Sequence, residues 1–490
     1  MRRAPFWALF RIEVKLLLAS RFSWILGALL FGAMWWGAVN GQHQARAQQA
    51  TIDRIASHVE GRLADQQAAV ARYRQPAPAQ LPYWQDPSDV SGYMRYGLEA
   101  HAVKPPLPLA GLAIGQSRLL PFYMKTDLDY VAPPGSAFDF TNPRFLALGE
   151  FDFAFVLVVI LPLAVIALGG ARLAAERDSG ALLLMLAQLP SFRRLVMLKF
   201  GALAAVCVPF AVAAALLALM AAGVPLWQTP EPGTMLSLLV ASAGLTLFWV
   251  ALTTLVASRS GVVGSYLRLI SIWVVFTFVV PAAGALLIAQ TAPAPAALAY
   301  LDQLRRIHNM TPSERDAVFT EYVSARPEYS AIAARITSVS YATKQIAVQQ
   351  AVERRSAKGD AAMARAMDKA ATQAGLVAWL SPAMVFDSML QQAAGTGIER
   401  HREFLLAARA YTERLRAFFW PRALAEAARP TQACPGCAGR MNFTAHREIP
   451  RFEPAPPANG MIPGGGAALY MWGLAALAGL LLWRGKRLNP

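Results

Sequence analysis

Two cysteines near the C-terminal end have the most varied chemistry in this sequence. Cys434 and Cys437 form a C-x-x-C pair. Such a pair can form a disulfide, act as a redox dithiol, or bind a soft metal ion together with Met441 and His446. Thioredoxin-like dithiols lie where a strand enters a helix, whereas this pair lies in a connection rich in proline and glycine. We therefore expect a structural disulfide in an oxidising compartment, with the redox and metal sites as alternatives.

ATP chemistry would require a phosphate-binding loop, G-x-x-x-x-G-K-[ST], and no stretch of the sequence matches that pattern. The histidines show no metal-ligand spacing such as H-x-x-x-H. We therefore expect that the chain is not an enzyme and binds no cofactor or metal. Any ATP used in its function would be hydrolysed by an ATPase on a separate chain.

The composition is that of a membrane protein. Of the 490 residues, 56% are hydrophobic and 16% are charged, against roughly 25% charged residues in soluble domains. The formal net charge of +16 is spread beside apolar runs, whereas a nucleic-acid-binding domain concentrates its basic residues on one face. We therefore expect a lipid bilayer, and no nucleic acid, as a partner.

Six apolar runs are long enough to cross a bilayer, which takes roughly 20 residues. They occupy residues 22–40, 152–171, 200–227, 235–257, 266–289 and 467–483. Almost no ionisable residue lies inside these runs, which argues against an ion-coupled carrier. The predicted fold class is an all-α membrane protein with six transmembrane helices and two large non-cytoplasmic domains.

Lysines and arginines mark one end of these runs. They cluster in an interfacial helix at 1–21, in the connection 172–199, and in the tail 484–490. Because positive residues in short segments are retained in the cytoplasm, we expect both termini to be cytoplasmic. The predicted location is a bacterial inner membrane, crossed several times.

Two long segments then lie in the periplasm, residues 41–151 and 290–466. The second is predicted to be mainly helical, and its clearest helix start is the capping box between Thr311 and Glu314. The first begins with a predicted helix over 52–73. Its remainder, rich in proline, glycine and aromatic residues, has no pattern that predicts a fold.

The connection between the second and third runs is the most informative segment. Glu176 and Arg177 leave the second run, and Ser179 with Gly180 interrupts the helix. The leucines that follow form an apolar patch before a proline: Leu182, Leu183, Leu186, Leu189 and Pro190. A short amphipathic element of this kind can lie at a membrane surface or dock in a groove of a partner. An ordinary surface loop is the alternative.

This connection resembles the signature of ABC type 2 transporter permeases, E-R-x-x-G-[TA]-L-x-x-x-L followed by a proline and a lysine before the next span. The matching positions are Glu176, Arg177, Gly180, Leu182, Leu186, Pro190 and Lys199. Ala181 stands where the family usually has threonine. The resemblance implies that the segment is a coupling helix on the nucleotide-binding subunit, and that residues 5–20 form the family's interfacial elbow helix.

Motifs in the second predicted domain resemble a subgroup of these permeases, which carries the domain of unknown function 3526. They are Leu380-Ser381-Pro382, Gln392-Ala393-Ala394-Gly395, His401 to Phe404, and Tyr411 to Leu415. Together the two resemblances cover most of the chain.

The resemblance implies the permease subunit of an ATP-binding cassette transporter, and export as the commoner role in the family. Its partners would be a cytoplasmic ABC ATPase subunit, which uses the ATP, and a second permease subunit, identical or different. Two alternatives stay open. One is a membrane-anchored interaction or scaffold protein, and the other is a membrane thiol oxidoreductase that uses the cysteine pair.

Overall fold

The computed structural model describes residues 6–72, 82–128, 150–188, 191–228, 233–293, 309–428, 441, 443–454 and 464–484. Most of them are helical, as the predicted fold class requires. Within these residues the only sheet has two antiparallel strands, β1 (His101–Val103) and β2 (Tyr123–Lys125), with Ala102 opposite Met124. No pattern in the sequence predicts this pair of strands, because strands of three residues are too short for a period-2 pattern.

Fourteen helices position the rest of the described chain. In order they are α1 (Phe6–Ala19), α2 (Arg21–Arg72), α3 (Leu161–Gly169), α4 (Arg172–Asp178), α5 (Ala181–Gln188), α6 (Phe192–Ala221), α7 (Gly233–Ala257), α8 (Val262–Val274), α9 (Val280–Thr291), α10 (Pro312–Ser324), α11 (Tyr341–Ala378), α12 (Pro382–Ala394), α13 (Ile398–Ala428) and α14 (Gly464–Arg484). Short helical turns join or precede them at Val90–Gly92, Tyr93–Gly97, Ala110–Leu112, Phe153–Phe155, Val156–Ile160, Val275–Val279, Pro327–Tyr329, Ser330–Ala333, Ile336–Ser338 and Phe443–Glu448.

Six helical stretches of the described residues are long and apolar enough to cross a membrane. They are Arg21–Arg72, Phe153–Asp178, Phe192–Ala221, Gly233–Ala257, Val262–Thr291 and Gly464–Arg484. These helices suggest a multi-pass membrane protein, and we call them the bundle. We name its two ends by what lies there: the α5 end, where α4 and α5 join the second stretch to the third, and the domain end opposite.

The first stretch is longer than its apolar run. Helix α2 has 52 residues, which is about 78 Å at 1.5 Å per residue. The apolar run ends near Asn40, but the backbone stays helical, and the predicted helix over 52–73 is the continuation of α2. Hydropathy marks where apolar residues end and not where a helix ends, and no proline occurs between Asn40 and Arg72 to stop it.

Helix α7 lies at the centre of the bundle and packs on α14, α6 and α3. Its Ala241, Val250 and Ala251 are fully buried. At Gly244 an added Cβ would lie 2.9 Å from the Cβ of Met471, so α7 and α14 approach closely there. The hydroxyls of Ser242, Thr246 and Thr254 in α7 donate to carbonyls one turn earlier, which satisfies them within the helix.

The two segments beyond the domain end share one hydrophobic core. Val90 and Tyr93 of the first segment pack with Phe319, Ile346 and Phe419 of the second. The ring of Tyr93 stacks on that of Phe419 at 5.9 Å between centroids. The described parts of the two predicted domains are therefore packed together as one body.

The second segment supplies most of the helices in this core. Thr311 and Glu314 form the predicted capping box at the start of α10. The spacing of Ile332, Ile336 and Ile346 predicts a further long, alanine-rich helix. That helix begins at Tyr341, where Ser340 caps it by accepting a hydrogen bond from the Thr343 amide. Ile332 and Ile336 lie instead on short turns before it.

Helix α12 attaches this body to the bundle. Its Phe386 and Leu390 belong to the bundle core, and Ser381 Oγ donates to the carbonyl of Phe276 at 2.6 Å. Asp387 of α12 lies near Asp152, which begins the second apolar stretch. Burial and the charge of Asp152 raise the pKa of Asp387 to about 7. The polar contact that joins the domain body to the bundle is the hydrogen bond from Ser381 to Phe276.

Candidate functional site

The α4–α5 connection turns at Gly180, where the backbone conformation favours glycine. Helix α4 ends at Asp178, and Gly180 has φ +76°, a left-handed conformation that side chains with a Cβ disfavour. Asp178, Ser179 and Gly180 are exposed. The predicted helix break at Ser179-Gly180 is confirmed, and the turn projects from the α5 end of the bundle.

A buried lysine fixes α4 to two other helices. Lys199 is in α6, and its Nζ lies 2.5 Å from Glu13 Oε1 of α1. The same Nζ forms an ion pair with Glu176 Oε1 of α4. Leu17, one turn after Glu13, is buried on the face of α1 that packs on α6. The cluster of Glu13, Glu176 and Lys199 therefore holds three separate segments of the chain together.

The cluster is largely shielded from water. Lys199 is 8% exposed and Glu13 is 7% exposed. Glu176 Oε2 makes no hydrogen bond within the described residues. Arg172 lines a cavity of about 20 Å³ beside Glu13 and Lys199, which is room for one water molecule. In such a shielded place desolvation makes any unpaired charge of the cluster costly.

A second contact ties α4 to the turn between α7 and α8. Arg177 Nη2 donates to the carbonyl of Ser258 at 2.9 Å. Leu173 and Ala174 on the inner face of α4 are buried. Helix α4 is therefore anchored to α1, α6 and the α7–α8 turn, so a displacement of α4 would act on all of them.

Helix α5 has an inner and an outer face. Leu182 and Leu186, which the sequence pattern assigned to a docking patch, pack partly buried against the bundle. Leu184 is 73% exposed. Pro190 lies outside the described residues, as do the side chains of Leu183 and Leu189. Among the side chains of α5 that the structure describes, Leu184 is thus the exposed leucine, and the leucine pattern did not select it.

The predicted cysteine site cannot be placed in the fold. Cys434 and Cys437 lie outside the described residues. Among the residues that are described, no group of three or more His, Cys, Asp or Glu side chains could hold a metal ion. Met441 is buried in the core of the domain body, and His446 lies edge-on to the Tyr93 ring at 4.9 Å.

A comparison with known protein families gives one match, which lies in the second segment of the domain body. Residues 297–432 match the sequence model of a family described as Domain of unknown function (DUF3526). No curated protein and no solved structure matches the chain. The match confirms the resemblance expected for the second segment. It includes none of the six apolar stretches, so the resemblance to transporter permeases stays a prediction.

The motifs that suggested this match lie at the ends of α12 and in the domain body. Ser381 caps α12 by accepting from the Met384 amide, and it also bonds to the bundle. Gly395 ends α12 with φ +68°. Phe404 and Tyr411 are buried on one face of α13, where they pack within the domain body. Of these residues, Ser381 is the one that joins the domain body to the bundle.

Glu13 is the cluster residue that sequence reasoning missed. It is the only acidic residue before Asp53 and stands within an apolar and basic helix. Its spacing of four from Leu17 puts both on one face. That isolated charge on the apolar face was the available signal, since a buried acid needs a cationic partner.

Proposed function

We propose that this chain is the membrane-spanning permease subunit of an ATP-driven transporter of the ABC type 2 class. The observation that carries the proposal is the α4–α5 connection. It presents an exposed turn and an exposed leucine to one side, and it is anchored on the other side to three parts of the bundle. An element with that arrangement can receive a partner's motion and pass it to the spans.

ATP hydrolysis is assigned to a separate subunit. The chain has no phosphate-binding loop, so the energy has to enter through a protein contact. Leu184 supplies the apolar part of that contact, and the turn at 178–180 supplies the polar part. A few exposed apolar side chains at the centre of a polar rim are typical of protein interfaces.

The topology follows from the charges around the bundle. Arginines and lysines lie in the segments at the α5 end, which supports a cytoplasmic position for that end, where an ATPase would meet it. The domain body then lies in the periplasm of a bacterial cell, and the inner membrane surrounds the bundle. Helix α2 runs from the first span into the domain body and would carry movement between them.

The transmission path is built from the contacts of α4. When the ATPases close on ATP, they would displace α5 and α4 together. Lys199 passes that displacement to α6, and Glu13 passes it to α1 at the start of the first span. Arg177 passes it to the α7–α8 turn. The ionic contacts are directional, so they keep α4 in register with these helices as it moves.

A second permease subunit is the proposed partner within the membrane. Within the apolar part of the fifth stretch only 6% of the residues are buried by the rest of the chain, against 61% in the fourth stretch. Val263, Leu267 and Phe278 of this stretch are exposed. A helix so little covered by its own chain offers a face for another copy or a related subunit, with lipid covering what remains.

Exchanging the exposed leucine of α5 for aspartate tests the docking contact. We expect Leu184→Asp to reduce the amount of ATPase subunit that copurifies with the tagged chain by at least about tenfold. A loss of about 1.4 kcal/mol accounts for that factor. The measurement is the ratio of the two subunits after affinity purification from native membranes.

The matched control is Leu406→Asp, which puts the same charge on an exposed leucine of α13, 60% exposed at the opposite end of the molecule. We expect it to retain the ATPase. Both variants should elute from size exclusion as the unchanged chain does. Undiminished ATPase with Leu184→Asp would exclude α5 as the docking element.

A further inference from the structure

A buried lysine in the domain body has no anionic partner. Lys104 follows β1, and its backbone amide donates to the Phe122 carbonyl at 2.7 Å. The residue is 8% exposed. Its ammonium lies 5.9 Å from the centre of the Phe404 ring, and it makes no hydrogen bond or ion pair with any residue that the structure describes. A cation in this position lacks the compensation that buried charges normally have.

The first turn of α13 brings two more basic groups to the same place. His401 is 3% exposed, and its ring lies 6.0 Å from the Phe404 ring. Its Nδ1 has no hydrogen-bond partner among the described residues. Arg400 donates to the carbonyl of Pro105 at 2.6 Å and to that of Gly395 at 3.3 Å. Two of its five N–H groups are thus used, and it is held beside Lys104.

The electrostatics of this cluster favour an anion. Burial and the charge of Arg400 lower the pKa of Lys104 to about 8. Burial and the charge of Lys104 lower the pKa of His401 to about 4. Burial lowers the pKa of Arg400, and the charge of Glu403, one turn further along α13, partly opposes that shift. The amino-terminal end of α13 adds the positive end of a helix dipole.

We propose that Lys104, Arg400 and His401 form a binding site for a single phosphate or carboxylate group. Lys104 supplies the charge, Arg400 its remaining N–H donors, and neutral His401 one N–H. The site adjoins Gly395, where α12 leaves the bundle. At that junction the group can belong to a free anion or to the headgroup of an anionic lipid, and both present the same oxygen atoms.

The test uses the full chain, purified in a neutral detergent at pH 7 without phosphate. One arm titrates inorganic phosphate against the unfolding temperature, with chloride at equal ionic strength as the reference. The other arm compares discs of phosphatidylglycerol with discs of phosphatidylcholine and measures retained lipid by native mass spectrometry. We expect either saturable stabilisation by phosphate or preferential retention of phosphatidylglycerol.

The variants are Lys104→Met and, as the matched control, Lys358→Met on an exposed part of α11. We expect Lys104→Met to bind the anion at least about tenfold more weakly, whereas Lys358→Met should bind it as the unchanged chain does. Without anion, Lys104→Met should unfold at the same or a higher temperature, because it removes an unpaired buried charge. Lys104→Arg should restore binding.

Two results would overturn the site. One is an unchanged chain that phosphate does not stabilise beyond the chloride reference and that retains phosphatidylglycerol no better than phosphatidylcholine. The other is equal anion binding by Lys104→Met and the unchanged chain. If Lys104→Met does not fold, His401→Phe is measured in the same way, and anion binding equal to that of the unchanged chain would have the same meaning.

Discussion

Replacing Lys199 with methionine is expected to lower the free energy of unfolding by about 3–5 kcal/mol, the range measured when one partner of a buried ion pair is removed. The lysine neutralises Glu13 and Glu176 together, and it is 8% exposed. Without it, two carboxylates remain close together with little water to solvate them. The measurement is the midpoint of unfolding of the purified chain in detergent.

Two controls separate the ionic effect from a loss of packing. Lys15→Met changes an exposed lysine of α1 and should leave the midpoint almost unchanged. A triple variant, Glu13→Met with Glu176→Gln and Lys199→Met, removes all three charges and should recover most of the lost stability. If Lys199→Met unfolds at the midpoint of the unchanged chain, the cluster does not hold α1, α4 and α6 together.

Alanine at Gly41 is expected to destabilise the protein, the reverse of its usual effect in a helix. An added Cβ at Gly41 would lie 2.5 Å from the carbonyl oxygen of Gly111, and one at Gly37 would lie 2.6 Å from the backbone of Asp152. Overpacking of this kind costs about 1–3 kcal/mol or more, which exceeds the gain of about 1 kcal/mol from helix propensity. The double variant, Gly37→Ala with Gly41→Ala, should lose more stability than either single variant, because α2 must then move away from the backbones of both Asp152 and Gly111.

The matched control lies on the same helix. Gly61 has no atom within 4 Å of the position of its added Cβ, so Gly61→Ala should stabilise the chain by up to about 1 kcal/mol. The unfolding midpoints of the three single variants give the comparison. Equal stabilisation by Gly41→Ala and Gly61→Ala would show that α2 does not approach the backbone of its neighbours closely.

The sequence predicted the features that depend on local composition. The apolar stretches follow from runs of about 20 residues, the turn at Gly180 from a small flexible residue after a charged helix end, and the start of α10 from its capping box. Each signal is contained within a few residues, and tertiary packing did not override it.

The features that the sequence did not predict depend on which face of a helix meets a neighbour. Leu182, Leu184 and Leu186 are equally apolar, and only the packing of α5 decides that Leu184 is the exposed one. Glu13 and Lys199 are 186 residues apart, so their pairing has no local signal. The shared core of the two outer segments is equally non-local, because Tyr93 and Phe419 pack together from distant parts of the sequence.

Affinity purification of the tagged chain from its native membrane, followed by mass spectrometry and an ATPase assay in lipid, distinguishes a transporter subunit from an anchored scaffold protein. We expect a stoichiometric second protein that carries the G-x-x-x-x-G-K-[ST] motif, and ATP hydrolysis that is lost with Leu184→Asp. Recovery of the chain alone under gentle detergent, without ATP hydrolysis, would exclude the proposed transporter function and favour a membrane-anchored scaffold protein.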